Sequence, residues 1–379
     1  MWWPLMHSAI TVEDKKALID FITHSDRYTC GNMVKQFEDA WSQWLGCKYS
    51  LYVTSGSTAN LLLLASVKEL YNIPDGSKVL VPACTWVTNV SPVFQLGLEP
   101  VFCDVELERY SFDTNNLPDD DIKIVFVTHL LGLNSPIEKL KEKYPNAIFL
   151  EDICESHGVV GTDGKKRGSS GTGSTFSFYY GHHMTTIEGG MISTDNEVLY
   201  GLMKMKRSHG MARFLAPKYY EEAIRDNPTI DPSFLFMTDG YNFRNTELNA
   251  VLGLEQLKRL DDNISTRREN FAYFMEHLDP DLFYIPYNDP GNSSFAFPFI
   301  CKKREDMLKL KSIFTELDVE YRPIVSGNLL LHPFLKKWKD TVSVPNATIL
   351  NDNGVYIGNS QFITKEMLFK VFEAIKDRW

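Results

Sequence analysis

The first half of the chain alternates between segments of helical spacing and short apolar runs. Residues 10–25 carry apolar side chains at helical spacing, and a second amphipathic helix is predicted over residues 33–45. A strand over Tyr49–Val53 is followed by a turn of small residues and then by the apolar run Leu61–Val67. This part of the sequence therefore predicts a strand, a short turn and a helix in succession.

The same alternation continues to about residue 151. Four further strands are predicted, at Lys78–Pro82, Pro100–Asp104, Lys123–Thr128 and Ala147–Glu151. A helical stretch, Pro136–Tyr144, separates the last two. Short strands separated by helices favour a mostly parallel α/β sheet covered by helices. Because ligands bind beyond the carboxyl ends of such strands, site residues are expected in the loops that follow them.

The second half begins with two strands, predicted at Phe176–Tyr180 and Met191–Ser193. The helix that follows G-Y-N-F-R carries more apolar positions than one stripe needs, which indicates burial on two sides. Asp279–Ser294 is rich in proline, asparagine and glycine and is interpreted as a linker.

The last part of the chain predicts a smaller α+β domain. Its elements are the strand Phe295–Cys301, the helix Glu305–Leu317, the strand Val319–Arg322 and the helix Lys365–Ile375. We therefore expect two domains. Residues 1–255 form the large cofactor-binding α/β domain with the N-terminal helices, and residues 256–379 form the connecting helix and the smaller C-terminal domain.

Composition narrows the function classes. The 379 residues are 44% hydrophobic and carry a net charge of -10, which argues against nucleic acid as a main partner. No apolar run is long enough to span a membrane. The six cysteines are scattered without metal-binding or iron–sulfur spacing, so no metal site is expected. These features predict a reduced cytoplasmic protein.

Three loops carry candidate ligand-binding residues. In T-S-G-S-T-A-N, Gly56 and Ser57 open a helix, where free amides favour an anion, although serine there is also an ordinary helix cap. Asp152 and Glu155 follow a strand, and such carboxylates either pair with a cationic ring nitrogen or cap the next helix. Trp86 either stacks on a planar ligand or belongs to the core.

The stretch T-F-S-F-Y-Y-G-H-H-M-T-T-I-E-G-G holds the candidate for proton transfer. His182 and His183 follow a glycine at the predicted end of a strand, close to small residues that let a ligand approach the backbone. A histidine in an aromatic stretch is also commonly a hydrogen-bonded core residue, so the residues alone leave both interpretations open.

Taken together, five separated motifs resemble the DegT/StrS-type family of pyridoxal phosphate (PLP) sugar aminotransferases, which have fold type I. The motifs are T-S-G-S-T-A-N, V-P-A-C-T-W, E-D-I-C-E-S, F-S-F…E-G-G and G-Y-N-F-R. The resemblance covers nearly the whole chain. It implies the PLP-dependent transferase fold, with PLP or pyridoxamine phosphate (PMP) as the cofactor.

The resemblance also implies residue roles. Gly56, Ser57 and Ser177 would hold the cofactor phosphate. Trp86 would stack on the pyridine ring, and Asp152 would pair with its nitrogen, with Glu155 placed in the same cofactor-binding group. Asn242 matches an asparagine that reaches the phosphate of the neighbouring subunit, which implies a homodimer with shared active sites. The substrate side is expected to include His209 and Arg322.

The chain departs from the family at one position. The lysine that binds the cofactor covalently should close F-S-F-x-x-x-K, and this chain has His182 there. The nearest upstream lysines, Lys165 and Lys166, lie in a polar glycine-rich loop. A histidine at this position resembles a subgroup of sugar 3-dehydratases. The absence of clustered cysteines argues against its iron–sulfur relative.

This resemblance implies removal of the C3 hydroxyl from a nucleotide-linked 4-keto-6-deoxy sugar, with GDP-4-keto-6-deoxymannose expected first. L-Glutamate would regenerate PMP. His182, with a pKa near its ordinary value, would act as both base and acid. Two alternatives remain open. One is a nucleotide-sugar aminotransferase that uses another lysine and holds PLP covalently. The other is a non-catalytic protein that binds PLP or a nucleotide sugar.

Overall fold

A seven-stranded sheet forms the centre of the larger part of the molecule. The computed structural model describes residues 2–169 and 171–379. The strands of this sheet are β1 (Tyr49–Val53), β2 (Lys78–Pro82), β3 (Glu99–Cys103), β4 (Ile122–Thr128), β5 (Ile148–Asp152), β6 (Gly173–Ser177) and β7 (Gly190–Thr194). Their spatial order is β1-β7-β6-β5-β4-β2-β3.

Strand directions place the functional loops at one edge of this sheet. Strands β2 to β6 pair in parallel, while β7 is antiparallel to both β6 and β1. Consequently β1 runs parallel to β6, and every strand except β7 ends at the same edge. The predicted mostly parallel sheet is confirmed, and its carboxyl edge is where a ligand site is expected.

Twelve α-helices surround the sheets in the described parts of the chain. They are α1 (Val12–His24), α2 (Asn32–Leu45), α3 (Gly56–Leu70), α4 (Ser91–Gln95), α5 (Ile137–Lys143), α6 (Glu197–Arg207), α7 (Pro217–Asp226), α8 (Glu247–Leu257), α9 (Leu260–His277), α10 (Arg304–Glu316), α11 (Pro345–Asn353) and α12 (Lys365–Lys376). None of the helices described is long and apolar enough to cross a bilayer.

Alternate strand residues bury the two faces of the large sheet. In β2, Val79 and Val81 join one apolar cluster, whereas Leu80 joins the cluster on the opposite face with Ile137 and Leu140 of α5. Successive side chains of a strand point to opposite faces, so a strand that is apolar throughout can be buried on both. This explains why β2 and β4 read as continuous apolar runs instead of alternating patterns.

A second sheet lies in the C-terminal part. It contains β8 (Phe283–Tyr284), β9 (Ala296–Cys301), β10 (Tyr321–Pro323) and β11 (Gly354–Gly358), all antiparallel, in the order β10-β11-β9-β8. The N-terminal segment reaches this sheet, because Trp3 is fully buried and its Nε1 donates to the carbonyl of Gly358 at 2.9 Å. The domain boundary expected between residues 255 and 256 lies inside α8 and stays a prediction.

Two predicted segments differ from the structure. The strand expected at Phe176–Tyr180 begins earlier and ends at Ser177. Beyond Ser177 the chain leaves the sheet, because the amide of Phe178 donates to Gly189 and its carbonyl accepts from Thr186. The segment interpreted as a linker, Asp279–Ser294, is packed: it contains β8 with a buried Phe283.

Helix α8 is buried on two sides, as its surplus of apolar positions predicted. It packs against both α1 and α2. Its first residue, Glu247, is 3% exposed, and its carboxylate accepts hydrogen bonds from the amides of Gly31, Met33 and Val34, each at 2.9 Å. Glu247 therefore caps the N-terminus of α2, where free amides and the helix dipole favour a negative charge.

Replacing Glu247 tests this cap. In Glu247→Gln the charge is lost and an NH₂ group faces amide donors, so we expect a loss of about 1.5–3 kcal/mol in the free energy of unfolding. Urea denaturation measures it. Glu255→Gln is the matched control on the same helix, because Glu255 pairs only with the exposed Lys258 and should change stability by less than about 0.5 kcal/mol. Equal effects of the two variants would contradict the cap.

Candidate functional site

The carboxyl edge of the large sheet and one end of the small sheet enclose a cavity of about 410 Å³. Most of the predicted site residues line it, namely Gly56, Ser57, Trp86, Asp152, Glu155, Ser177 and His182. All of them lie at or just beyond the carboxyl ends of β1, β2, β5 and β6: Asp152 and Ser177 are the last residues of β5 and β6, and Gly56 and Ser57 open α3. The expected convergence of these loops is thus what the structure shows.

The N-terminus of α3 offers an anion site at the wall of this cavity. The Ser55 hydroxyl caps α3 by accepting from the amide of Thr58 at 3.1 Å. The amides of Gly56 and Ser57 have no acceptor among the residues that the structure describes. A methyl group on Gly56 would lie 2.7 Å from Ser177 Cβ and 2.9 Å from Cys154 Sγ, so only glycine fits there. Backbone and hydroxyl donors thus face the cavity together.

Asp152 is held rigidly at the end of β5. Its Oδ2 accepts from the side-chain amides of Asn60 and Asn89, each at 2.8 Å, and its Oδ1 accepts from the amide of Cys154 at 2.9 Å. The residue is only 3% exposed yet lines the cavity. A carboxylate fixed at that wall by three hydrogen bonds is suited to pair with a protonated ring nitrogen.

Trp86 lies after β2 with half of its surface exposed, and it lines the cavity. A core role, which the sequence left open, does not fit an indole that is 52% exposed. Its large flat face is suited to contact with a planar ligand.

His182 lies in the turn that follows β6. Its amide donates to the carbonyl of Tyr179 at 3.0 Å, and its ring contacts that of Phe295 with 5.5 Å between centroids. Burial, and next the charge of Arg267, lower the pKa of His182 to about 3. The expectation of a pKa near the ordinary value is therefore wrong for the free site, because the prediction omitted the apolar surroundings and the arginine.

Glu155 is the second titratable group at the wall. Burial raises the pKa of its carboxyl to about 7; the amide of Leu131 opposes this shift, and the charge of Asp152 adds to it. Its Oε2 accepts from that amide at 3.0 Å. Near neutral pH, Glu155 is thus partly protonated and able to donate a hydrogen bond.

Three predicted site residues lie outside the cavity. Asn242 and His209 are exposed on neighbouring segments, since Ser208 pairs with Asn242 in a β-bridge. Arg322 is exposed on β10, opposite Tyr356 of β11, which lines the cavity. The structure therefore groups Arg322 with the cavity rim and separates the other two from it. The roles of all predicted site residues remain predictions.

Several lining residues were missed. Thr88, Cys154 and Glu188 lie in or beside the sequence motifs, so the motifs could have pointed to them. No sequence motif pointed to the other missed residues, because their position depends on how distant segments of the chain pack. These are Leu5 and Met6 near the N-terminus and Tyr356, Gly358 and Asn359 at the end of β11 and just beyond it.

The lysines nearest to the motif are not in the cavity. Lys165 is exposed, and Lys166 lies against Trp44, with its Nζ donating to the carbonyl there at 2.8 Å. Within residues 2–169 and 171–379, no lysine lines the cavity. Among the described residues, no lysine is therefore placed to bind the cofactor covalently, as the aminotransferase interpretation requires.

Comparisons with known proteins agree with this geometry. The model of the DegT/DnrJ/EryC1/StrS aminotransferase family matches residues 9–376. GDP-4-keto-6-deoxy-D-mannose 3-dehydratase of Escherichia coli O55:H7 is 34% identical over 387 residues, covering 99% of each chain. A solved structure of the E. coli enzyme with bound hydrated PLP has a TM-score of 0.89 at 31% identity, covering 98% of this chain and 99% of that one.

A second solved structure adds the amino donor. It is a GDP-4-keto-6-deoxymannose 3-dehydratase with a trapped PLP-glutamate geminal diamine, with a TM-score of 0.87 and 31% identity, covering 98% of this chain and all of that one. The predicted fold type and cofactor class are confirmed by these likenesses.

The buried histidines predict an acid-sensitive fold. Burial lowers the pKa of His157, His182 and His183 and raises that of Glu155. As the pH falls from about 6.5 towards 5, the unfolded chain binds up to three protons on these histidines that the folded chain does not bind, while folded Glu155 keeps one proton that the unfolded chain loses. The net of two protons makes stability fall with decreasing pH, by up to about 2.7 kcal/mol per unit.

Denaturation of the cofactor-free protein at several pH values measures this slope. His157→Phe removes one titrating ring but keeps an aromatic side chain, so its slope should be about half as steep. Stability that does not change over this pH range would rule out neutral buried histidines.

Proposed function

The chain belongs to the DegT/DnrJ/EryC1/StrS aminotransferase family, and we propose that it is a PLP/PMP-dependent 3-dehydratase of a nucleotide-linked 4-keto-6-deoxy sugar. The expected substrate is GDP-4-keto-6-deoxymannose, on which the relatives named above act. The observation that carries the proposal is His182. It lies at the cavity wall and follows F-S-F-x-x-x, the motif that a lysine closes in the resembled family, and no described lysine lines that cavity.

The described residues fit the cofactor. The free amides of Gly56 and Ser57 and the hydroxyl of Ser177 would hold its phosphate, which can come close because Gly56 has no side chain. Asp152 would pair with the ring nitrogen, and Trp86 would cover the ring face. When bound, the cofactor supplies an amine that condenses with the C4 ketone and an electron sink for loss of the C3 hydroxyl.

His182 would carry the proton transfers. In the free site its imidazole is neutral, so it can accept a proton from carbon. The phosphates of the cofactor and the nucleotide sugar add negative charge near the ring, which favours the imidazolium. The protonated ring can then donate its proton to the departing C3 hydroxyl. One group thereby serves as base and acid in turn.

Glu155 would assist at the same wall. Because its pKa is raised to about 7, the protonated carboxyl can donate a hydrogen bond to a ligand oxygen, whereas an ordinary glutamate side chain would only accept.

Free L-glutamate would return the cofactor to its amine form in a second half-reaction, again with His182 moving the proton. The relative with a trapped PLP-glutamate geminal diamine supports this amino donor.

The exposed residues are proposed to act in a dimer. Asn242 lies outside the cavity of its own chain and is exposed, as expected of a residue that reaches the phosphate of a neighbouring subunit. His209 lies beside it, and Arg322 is at the cavity rim. We propose a homodimer in which these residues complete the substrate side. A cytoplasmic location stays a prediction.

The decisive assay combines the purified protein with GDP-4-keto-6-deoxymannose, PLP and L-glutamate. We expect a sugar product that has lost its C3 oxygen, together with ammonia and 2-oxoglutarate. Mass spectrometry detects these products. Borohydride should leave no PLP attached to the wild-type chain. His182→Lys should gain a covalent attachment and lose dehydration, by a factor of about 100 or more.

Other products would decide against the proposal. A 4-amino sugar from the wild-type chain, together with PLP trapped by borohydride, would make the protein an aminotransferase. If no CDP-, UDP-, dTDP- or GDP-linked 4-keto sugar is turned over while PLP still binds, the protein is non-catalytic.

Gly56→Ala tests the phosphate cradle. The added methyl would collide with Ser177 and Cys154, so we expect PLP affinity, measured by absorbance titration, to fall by about 10-fold or more, equal to about 1.4 kcal/mol. Gly201→Ala is the control, because a methyl there meets nothing within 4 Å inside α6, and alanine favours a helix. Unchanged affinity in Gly56→Ala would place the phosphate elsewhere.

A further inference from the structure

Three histidine rings form a buried cluster behind the cavity wall. His157 follows β5 and lies 6.3 Å from His182 and 5.3 Å from His183, measured between ring centroids. His157 and His183 are fully buried. His182 is the member that reaches the cavity. The function proposed above uses only His182, so the other two rings need their own explanation.

Most nitrogens of this cluster are buried without a hydrogen-bond partner. They are both ring nitrogens of His157, Nδ1 of His182 and Nδ1 of His183. The indole Nε1 of Trp41, whose ring is 5.6 Å from that of His157, is in the same condition. Buried polar groups are rarely left unpaired, and several of them in one place are the usual lining of an internal water site.

The two phenylalanine rings that flank His157 cannot serve as its hydrogen-bond partners. Its ring packs against Phe176 and Phe178, with 5.8 Å between centroids in both cases. These side chains neither donate nor accept ordinary hydrogen bonds. Among the described residues, neither ring nitrogen of His157 has a hydrogen-bond partner.

The separation of His157 and His182 suits a bridged contact. A direct hydrogen bond needs nitrogens about 2.7–3.2 Å apart, and rings whose centroids are 6.3 Å apart and inclined by 63° do not provide it. One water that accepts from one ring and donates to the other spans this separation.

We propose that an internal water joins Nδ1 of His182 to His157, which makes His157 the residue that positions the base. The inference rests on the proposed role of His182. With Nδ1–H donating to the water, the neutral ring must keep its lone pair on Nε2 for the reacting proton. Without this contact the proton is free to occupy either nitrogen, and the wrong tautomer cannot act as a base from the cavity side.

Burial, with the charge of Arg267 adding to it, keeps the three rings neutral. Arg267 is buried and held by the carbonyls of Phe295 and Asn359. Its charge disfavours protonation of His182 and His183 as well as of His157. The cluster thus contains neutral rings with fixed tautomers, and charge forms on it only when His182 takes a proton from a ligand.

The tautomer can be measured without substrate. In nitrogen-15 NMR of the free wild-type protein, with the signal assigned by its loss in His182→Asn, we expect His182 as the Nδ1–H tautomer alone. His157→Phe, which keeps the aromatic packing, should give a mixture. His157→Asn, which keeps a donor and an acceptor, should restore most of the single form. A mixture or the Nε2–H form in the wild type would overturn the proposal.

Kinetics separate positioning from structure. His157→Phe should lower kcat by about 10–100-fold, as expected for residues that orient a functional imidazole through its second nitrogen, with KM for the sugar changed by less than about 2-fold. His157→Asn should recover most of the loss. Equal kcat in both variants, or an unchanged tautomer in His157→Phe, would reduce His157 to a packing residue.

The two proposals fail in different ways. A wild-type protein with the Nδ1–H tautomer but without dehydratase activity would contradict the proposed function and leave the bridged pair intact. If His157→Phe does not fold, the wild-type spectrum and the His157→Asn variant still test whether His157 sets the tautomer of His182.

Discussion

The buried carboxylate of Asp152 is the constraint that organises the cavity. A carboxylate that is 3% exposed requires hydrogen-bond donors, and Asn60 on α3, Asn89 after β2 and the amide of Cys154 after β5 supply them. These donors belong to three separate loops or helices, so satisfying one charge fixes how those elements meet. The same helix that brings Asn60 also presents its N-terminal amides to the cavity, with Gly56 at its start.

Under the proposed function, in which His182 stands in place of the family's lysine, such non-covalent contacts alone hold the cofactor. The rings of His157, Tyr179 and Phe295 lie beside His182, and burial, followed by the charge of Arg267, lowers its pKa. That environment suits an imidazole that is neutral in the free site and accepts a proton only after a ligand has bound. In the proposed reaction the family fold is kept, while the proton transfers depend on the tautomer and pKa of this one ring.

Local patterns predicted much of this arrangement. The strands before Gly56, Trp86 and Asp152 were recognisable, and parallel strands must bring the loops that follow them to one edge. The strand predicted at Phe176–Tyr180 was misplaced because its apolar run continues into a buried loop, where composition no longer distinguishes sheet from core. Tyr356 could not be predicted, since only the docking of the small sheet places it. The low pKa of His182 likewise depends on Arg267, 85 residues later in the sequence.

The two ends of the chain meet at the cavity. Leu5 and Met6 line it together with Tyr356 and Asn359, and Trp3 fixes the N-terminal segment to the small sheet. During synthesis on the ribosome, β1 to β7 emerge before β11, so the large sheet can form before the cavity wall closes. A nascent chain therefore has the exposed N-terminus of α3 before it has an enclosed cavity, because Tyr356 and Asn359 are synthesised later.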